Sequence, residues 1–158
     1  MCENLRYPYF PLMINLESRE VLIIGGGHVA SRRAETLIKC GAVVKAVSPE
    51  FIASFPVKAQ KVCREFKKSD VNNDFALIFA ASDKREVNHE VYELAKSLNI
   101  PVNVCDSQSE CDFFFPSLIN HGCIAASVSS AGTSSKLTHK LSNRLREVWS
   151  LWINEFLR

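Results

Sequence analysis

The chain has 158 residues, of which 47% are hydrophobic and 23% charged, as expected for one globular domain or a core with a small appendage. Its formal net charge of +2 is too small to indicate a nucleic-acid partner. No apolar run approaches the roughly 20 residues that cross a bilayer. The first residues lack the basic and apolar segments of a signal peptide. These features predict a cytoplasmic protein with neither a membrane nor a nucleic-acid partner.

The six cysteines contain no Cys-x-x-Cys pair and have no secretory context. This spacing favours free thiols over a disulfide framework. Zinc sites need ligands closer together in sequence. We therefore predict no metal site.

Strands and helices are predicted to alternate through the first two thirds of the chain. An aliphatic run at 21–24 predicts a buried strand, and the apolar spacing of 30–38 predicts a helix that Gly41 ends. Further strands are predicted at 43–47, 61–66, 77–81 and 101–105, and a second helix at 87–98. This order is typical of an α/β, Rossmann-like fold, a parallel sheet with helices on both faces.

The pattern changes in the last third of the chain. Short strands are predicted at 113–115 and 124–128 with a turn at 120–122, and then a long amphipathic helix from Ser135 to Arg158.

Two regions follow from this change of pattern. Residues 1–112 are predicted to form a Rossmann dinucleotide-binding domain, and residues 113–158 a small strand-and-helix appendage for dimerisation and the substrate cleft. Trp149 and Trp152 of the terminal helix are hard to bury in so short a chain, which predicts a homodimer.

The sequence GGGHVA at 25–30 matches the G-x-G-x-x-G/A pattern of dinucleotide-binding turns. Gly25 permits the tight turn, Gly27 lets the backbone approach a pyrophosphate, and Ala30 lets the helix pack close to the strand. The helix start then offers N–H groups to the phosphates. Because the motif lies between a predicted strand and a predicted helix, we expect it to bind NAD.

The end of the second strand lacks the acid that usually holds the adenosine ribose. Ser48 can bond a ribose hydroxyl, and Glu50 can reach it from one turn later. No arginine follows directly to bind a 2′-phosphate, which favours NAD over NADP.

Polar residues follow the last two predicted strands of the sheet, on the rim that carries the glycine turn. Ser82 is a candidate cofactor contact, whereas Asp83 and Asn88 fit structural roles better. Asp106 is either a carboxylate that positions substrate or accepts a proton, or only a cap or turn residue.

Hydroxyl side chains surround Ala131 and Gly132 just before the terminal helix. They belong to Ser129, Ser130, Thr133, Ser134 and Ser135. Such a cluster is either a helix cap or an anion site for substrate carboxylates.

Several segments form an ordered set along nearly the whole chain. They are YFPLMINL at 9–16, GGGHVASRR at 25–33, AASD at 80–83 with Asn88, NVCD at 103–106, FFFPS at 113–117 and SSAGTS at 129–134. The set resembles the precorrin-2 dehydrogenase family, the N-terminal module of siroheme synthases. The resemblance implies oxidation of precorrin-2 to sirohydrochlorin with NAD⁺ as hydride acceptor, on a homodimer.

The resemblance also implies roles for individual residues. Asp106 matches the catalytic aspartate, which in bifunctional members also serves ferrochelation, and Ser130 aligns with a serine that is phosphorylated in some members. Cofactor contacts are implied at His28, Val29, Pro49 and Glu50.

Precorrin-2 is a wide tetrapyrrole ringed with carboxylates, so an open cleft between the rim and the appendage is expected. Ser130 and the basic residues His121, Lys136, His139 and Lys140 are candidates to bind it. Two alternatives stay open: a dehydrogenase that also inserts iron into sirohydrochlorin, and a regulatory module that binds NAD without turnover.

Overall fold

A computed structural model describes residues 9–156 of the chain. They divide into two compact units. The sheet unit is Met13–Phe113, and the hairpin unit combines the described residues up to Leu12 with those from Phe114 onward. A compact unit need not be an independent domain. The division into a domain at 1–112 and an appendage at 113–158 therefore stays a prediction.

The sheet unit contains five strands and two α-helices. The strands are β1 (Glu20–Ile24), β2 (Val43–Ser48), β3 (Gln60–Cys63), β4 (Leu77–Ala80) and β5 (Val102–Val104), and the helices are α1 (His28–Lys39) and α2 (Arg85–Ser97). The strand order is β3-β2-β1-β4-β5, and every neighbouring pair is parallel. The chain runs from β1 outward to β2 and β3, then crosses to β4 on the other side of β1 and on to β5. Right-handed crossovers in these two directions place helices on both faces. The predicted Rossmann-like fold is confirmed.

The central strands form the core of the sheet unit. All four residues of β4 are buried, and so are the last four of β1. Burial on both faces explains why these strands are continuous aliphatic runs instead of alternating patterns. Gly41 follows the end of α1 with φ +84°, a conformation that a side chain rarely adopts, and so it ends the helix as predicted.

The third strand is shorter than its sequence predicts. The prediction was 61–66, but β3 ends at Cys63, which pairs with Ser48, the last residue of β2. The Arg64 side chain then binds Asp70. The two guanidinium nitrogens of Arg64 lie 2.7 and 2.5 Å from the Asp70 carboxylate oxygens, and the Lys67 N–H donates to Asp70 at 2.8 Å. The bond from Arg64 lowers the pKa of the buried Asp70 carboxyl.

The hairpin unit contains β6 (Ser117–His121), β7 (Ile124–Val128) and α3 (Ser135–Phe156). The two strands are antiparallel, and the predicted start of the terminal helix at Ser135 is confirmed. His121 pairs with Ile124 as the last residue of β6, so its predicted place within the turn was wrong. Within 9–156, no helix is long and apolar enough to span a bilayer.

The strand predicted at 113–115 is also wrong, because these residues form no regular structure. Their rings pack in different places: Phe113 lies edge-on to Phe79 at 5.4 Å, and Phe114 edge-on to Tyr9 at 5.0 Å. Pro116 has no N–H to donate to a strand ladder, and β6 begins directly after it.

The turn after β4 depends on the fully buried Asn88 side chain. Its Oδ1 accepts the Ser82 N–H at 3.0 Å, and its Nδ2 donates to the Ser82 carbonyl at 2.9 Å. The structural role favoured for Asn88 is therefore the one that it has.

Replacing Asn88 by alanine should lower the free energy of unfolding by about 2–3 kcal/mol, because it leaves both Ser82 backbone groups without their partner. Urea unfolding measures the change. Asn73→Ala, at an exposed loop position, is the control and should shift stability by less than about 0.5 kcal/mol. Equal effects of the two changes would contradict the role of Asn88.

Candidate functional site

The glycine turn after β1 fits against the turn after β4. Gly25 has φ +134°, and a Cβ on it would lie 2.2 Å from the Ala81 carbonyl oxygen. The Gly25 N–H donates to Val47 at 2.9 Å, and the Ala81 N–H donates to Ile24 at 2.7 Å. Because no side chain fits there, glycine is required for the tight turn, as predicted.

Gly26 has a role that the sequence analysis missed. A Cβ on Gly26 would lie 2.0 Å from the Glu50 carbonyl oxygen and 2.8 Å from Ser48 Oγ. The Gly26 carbonyl also accepts the Ile52 N–H at 3.0 Å. The three consecutive glycines were the available signal, but the pattern leaves this position unspecified.

Gly27 faces open space, since a Cβ on it would meet no atom within 4 Å. It is the N-cap of α1, no side chain caps it, and the first turn of the helix contains no acid. The exposed His28 and Val29 follow with the first N–H groups of the helix. Free space beside uncapped N–H groups fits a pyrophosphate.

The segment after β2 lies beside this loop. Ser48 is half-buried, and Pro49 and Glu50 are exposed. Their proximity to Gly26 puts them where the adenosine ribose of a bound dinucleotide would be expected. Contact between the ribose and Ser48, Pro49 or Glu50 stays a prediction.

Ser82 lies at the same rim, directly after the Gly25–Ala81 contact. Its backbone groups bind Asn88, and its Oγ accepts the Lys84 N–H at 3.1 Å. Ser82 therefore also shapes the turn. The predicted cofactor contact at Ser82 is untested.

Asp106 is exposed two residues beyond the end of β5, at the carboxyl end where β1 and β4 also finish. Arg85 Nη1 donates to Asp106 Oδ1 at 3.3 Å, and Arg85 Nη2 donates to Glu110 Oε1. His89 Nδ1 lies 3.1 Å from the same Glu110 oxygen. Arg85, Glu110 and His89 were not predicted from the sequence, because charged residues on a helix and in a turn carry no periodic signal.

Arg33 supports the end of β5. It donates to Asn103 Oδ1 and Cys105 Sγ, both at 2.6 Å, and its guanidinium lies 5.3 Å from the centre of the Phe79 ring. Desolvation raises the pKa of Cys105 to about 11, although Arg33 acts in the opposite direction. Cys105 is therefore a neutral thiol at neutral pH and not an activated nucleophile.

The hydroxyl cluster before α3 is engaged in local bonds. Ser130 Oγ accepts the Ser134 N–H at 3.0 Å and lies 2.9 Å from Thr138 Oγ1, and Ser134 Oγ accepts the Leu137 N–H at 3.2 Å. This is the geometry of a helix cap. A role of Ser130 in binding substrate carboxylates stays a prediction.

The basic residues predicted to bind substrate carboxylates lie at different positions in the hairpin unit. Lys136, His139 and Lys140 are exposed on α3, and the half-buried His121 ends β6. A cavity of about 260 Å³ is lined by Leu118, Ile119, Asn120, His121, Arg146 and Trp149. Binding of substrate to His121 or Lys136 is untested.

Five cysteines are free thiols, as predicted: Cys40, Cys63, Cys105, Cys111 and Cys123. Cys2 lies outside the described residues. In the part of the chain that the structure covers, no cluster of three His, Cys, Asp or Glu side chains could hold a metal ion.

Three comparisons relate the chain to known proteins. Residues 12–117 match the family model described as "Putative NAD(P)-binding". Siroheme synthases of Neisseria meningitidis serogroup C and Pseudoalteromonas translucida are 38% and 36% identical over 87% of this chain, which spans 29% and 30% of their lengths. The solved structure of SirC, precorrin-2 dehydrogenase, superposes with a TM-score of 0.71 at 24% identity, covering 88% of this chain and 70% of that one.

These matches confirm the resemblance to the precorrin-2 dehydrogenase module of siroheme synthases. They also confirm the prediction of a nicotinamide dinucleotide as cofactor. The likeness to SirC shows the fold.

Replacing Gly27 by aspartate should weaken NAD binding at least tenfold, which is about 1.4 kcal/mol, and leave the melting temperature near that of wild type. The side chain would enter the open space at the N-cap and bring a charge of the same sign as the pyrophosphate. Calorimetric titration measures the affinity. The control Val57→Asp adds the same charge at a position that is 90% exposed. Equal NAD affinity in both variants would contradict the assignment of the glycine loop.

Proposed function

The chain belongs to the NAD(P)-binding family, and from that premise we propose that it oxidises precorrin-2 to sirohydrochlorin, with NAD as hydride acceptor. The substrate is suggested by the names of the similar proteins, siroheme synthase and precorrin-2 dehydrogenase. The observation that supports the proposal most is the shared rim, where the glycine turn and the Asp106 turn end parallel strands separated only by β4.

In this proposal, different residues at the rim bind the cofactor and the substrate. The N–H groups at the start of α1 bind the pyrophosphate, and Ser48 and Glu50 bind the adenosine ribose. The bound dinucleotide supplies the hydride acceptor. Loss of a hydride leaves the substrate as a cation that readily loses a proton, so the Asp106 carboxylate orients the substrate and stabilises this charge more than it abstracts the proton.

We propose NAD in preference to NADP because of the segment after β2. A 2′-phosphate on the adenosine ribose would lie near the exposed Glu50, and two negative charges at close range repel each other. Ser48 and Pro49 supply no positive charge to compensate.

The proposed protein is a homodimer that uses one face of α3. Large side chains spaced along this face are exposed within the hairpin unit: Leu137, Leu141, Leu151 and Trp152. Exposed apolar side chains on one side of a helix are typical of a surface that another chain covers.

Sedimentation at micromolar concentration should therefore show a dimer. Leu151→Glu should shift the equilibrium towards monomer, because it places a charge in the apolar contact, while Asn143→Glu adds the same charge at an exposed position on a different side of the helix and should leave the dimer intact. A monomeric wild-type protein would contradict the proposal.

Replacing Asp106 by alanine should lower turnover of precorrin-2 by about 10²–10⁴-fold if the carboxylate acts in proton transfer, and towards the lower end if it only orients. NAD affinity should stay the same, because the phosphates bind at the glycine loop. Turnover is followed by NADH absorbance and the product spectrum. Asp83→Ala, an exposed aspartate after the neighbouring strand, is the matched control.

Near-normal turnover of Asp106→Ala with a lowered melting temperature would assign Asp106 to structure. NAD binding by the wild-type protein without reduction of NAD on precorrin-2 would instead favour a regulatory module. Ferrous iron added after oxidation, with the spectrum followed, tests for iron insertion.

A further inference from the structure

We infer that Arg85 is a positioning residue, which holds the Asp106 carboxylate at the rim and is itself held by Glu110. The inference rests on the proposed function, since it concerns how the residue proposed to act on the substrate is oriented. It adds three residues to the site: Arg85, Glu110 and His89.

The geometry gives Arg85 two carboxylate partners at once. Arg85 is the first residue of α2, and its two terminal nitrogens reach Asp106 and Glu110. Asp106 comes shortly before a single 3₁₀ turn, Gln108–Glu110, and Glu110 ends it. The side chain of Asp106 is 37% exposed and that of Glu110 is 15% exposed. Glu110 therefore occupies the inner end of the pair, and Asp106 the end open to a ligand.

Glu110 is the anchor of this arrangement. Its Oε1 binds both Arg85 and His89, two residues one turn apart on α2. The hydrogen bond from Arg85 lowers the pKa of Glu110, and the same bond raises the pKa of Arg85. Both groups are therefore charged at neutral pH. A fixed counter-ion restricts the flexible arginine side chain, so that Nη1 stays directed at Asp106.

The charges of the group indicate which part of the substrate faces it. Arg85 contributes one positive charge against the two carboxylates of Asp106 and Glu110, so one negative charge remains in excess among these three residues, and only a protonated His89 would cancel it. A substrate carboxylate would be repelled by this charge. We expect the ring N–H groups, and the positive charge that develops on hydride loss, to face Asp106, with the substrate carboxylates elsewhere.

Substitutions of Arg85 and Glu110 distinguish a role in positioning Asp106 from an effect of net charge on turnover. Arg85→Met leaves the group more negative, so turnover would rise or stay the same if only charge mattered. If Arg85 positions Asp106, kcat should fall about tenfold while NAD affinity stays unchanged. Arg85→Lys should retain an intermediate kcat, since one ammonium group can hold Asp106 or Glu110 but not both as a planar guanidinium does. Glu110→Gln should also lower kcat, because it removes the counter-ion that restricts the Arg85 side chain.

The control is Lys96→Met, which removes a similar exposed ion pair from the last turn of α2. Lys96 Nζ lies 2.7 Å from Asp112 Oδ1, at the end of the helix away from the rim. The Arg85–Asp106 and Lys96–Asp112 pairs are exposed and contribute little to stability. Because Glu110 is only 15% exposed, melting curves of the Arg85 and Glu110 variants are recorded beside the kinetics to show that they fold. Turnover of Lys96→Met should equal that of wild type.

A double-mutant cycle with Asp106→Ala decides whether Arg85 acts through Asp106. Arg85→Met should cause no further loss in the Asp106→Ala background. A full tenfold loss there would show that Arg85 acts directly on substrate or cofactor, and would overturn the inference alone. If Asp106→Ala by itself has no effect on turnover, the proposed role of Asp106 fails, and the inference fails with it.

Crystal structures of wild type and Arg85→Met give a readout that does not depend on turnover. The wild-type Asp106 carboxylate should be ordered against Arg85, and in the variant it should be displaced or disordered. An Asp106 side chain that keeps its position without Arg85 would overturn the inference even if the protein oxidised no precorrin-2.

Discussion

The close approach of backbone to backbone at the glycine loop is the constraint on which the site depends. Side-chain atoms at Gly25 and Gly26 would collide with the carbonyl oxygens of Ala81 and Glu50. These contacts let the turns that follow β1, β2 and β4 pack closely against one another at one rim. The same contacts leave Gly27 and the start of α1 facing open space, where a phosphate group fits. The absence of side chains at Gly25 and Gly26 therefore allows close packing at the rim, and the start of α1 stays open to the cofactor.

Around this rim, charged side chains stabilise the strand ends and the turns that follow them. Arg33 fixes the end of β5 through Asn103 and Cys105, and Arg85 links the next turn to α2. Arginine suits both tasks, because its planar group binds two partners in a fixed geometry. The result is an exposed carboxylate, Asp106, on a supported backbone.

The hairpin unit differs from the sheet unit in the contacts that its polar and apolar side chains make. Its hydroxyl side chains mainly bind one another and cap α3, and its large apolar side chains remain exposed along that helix. A proposed second chain would cover those apolar residues. The chain spans about 30% of the length of the siroheme synthases that it matches.

The sequence by itself determined the elements whose signals are local. The aliphatic runs of β1 and β4, the period of α1 and α2, the stop at Gly41 and the glycine pattern are all read within a few residues, and they predict the parallel sheet and its cofactor class. Where local signals misled, a contact with another part of the chain was the reason: Phe113 leaves the strand pattern to pack on Phe79, and β3 ends at Cys63, opposite the last residue of β2. The neighbours of Asp106 were decided only by the tertiary structure. Arg85 is 21 residues from Asp106 in sequence, and Arg33 is 72 residues from Cys105. No spacing rule links such residues, because they meet only after right-handed crossovers bring the strand ends to the same rim.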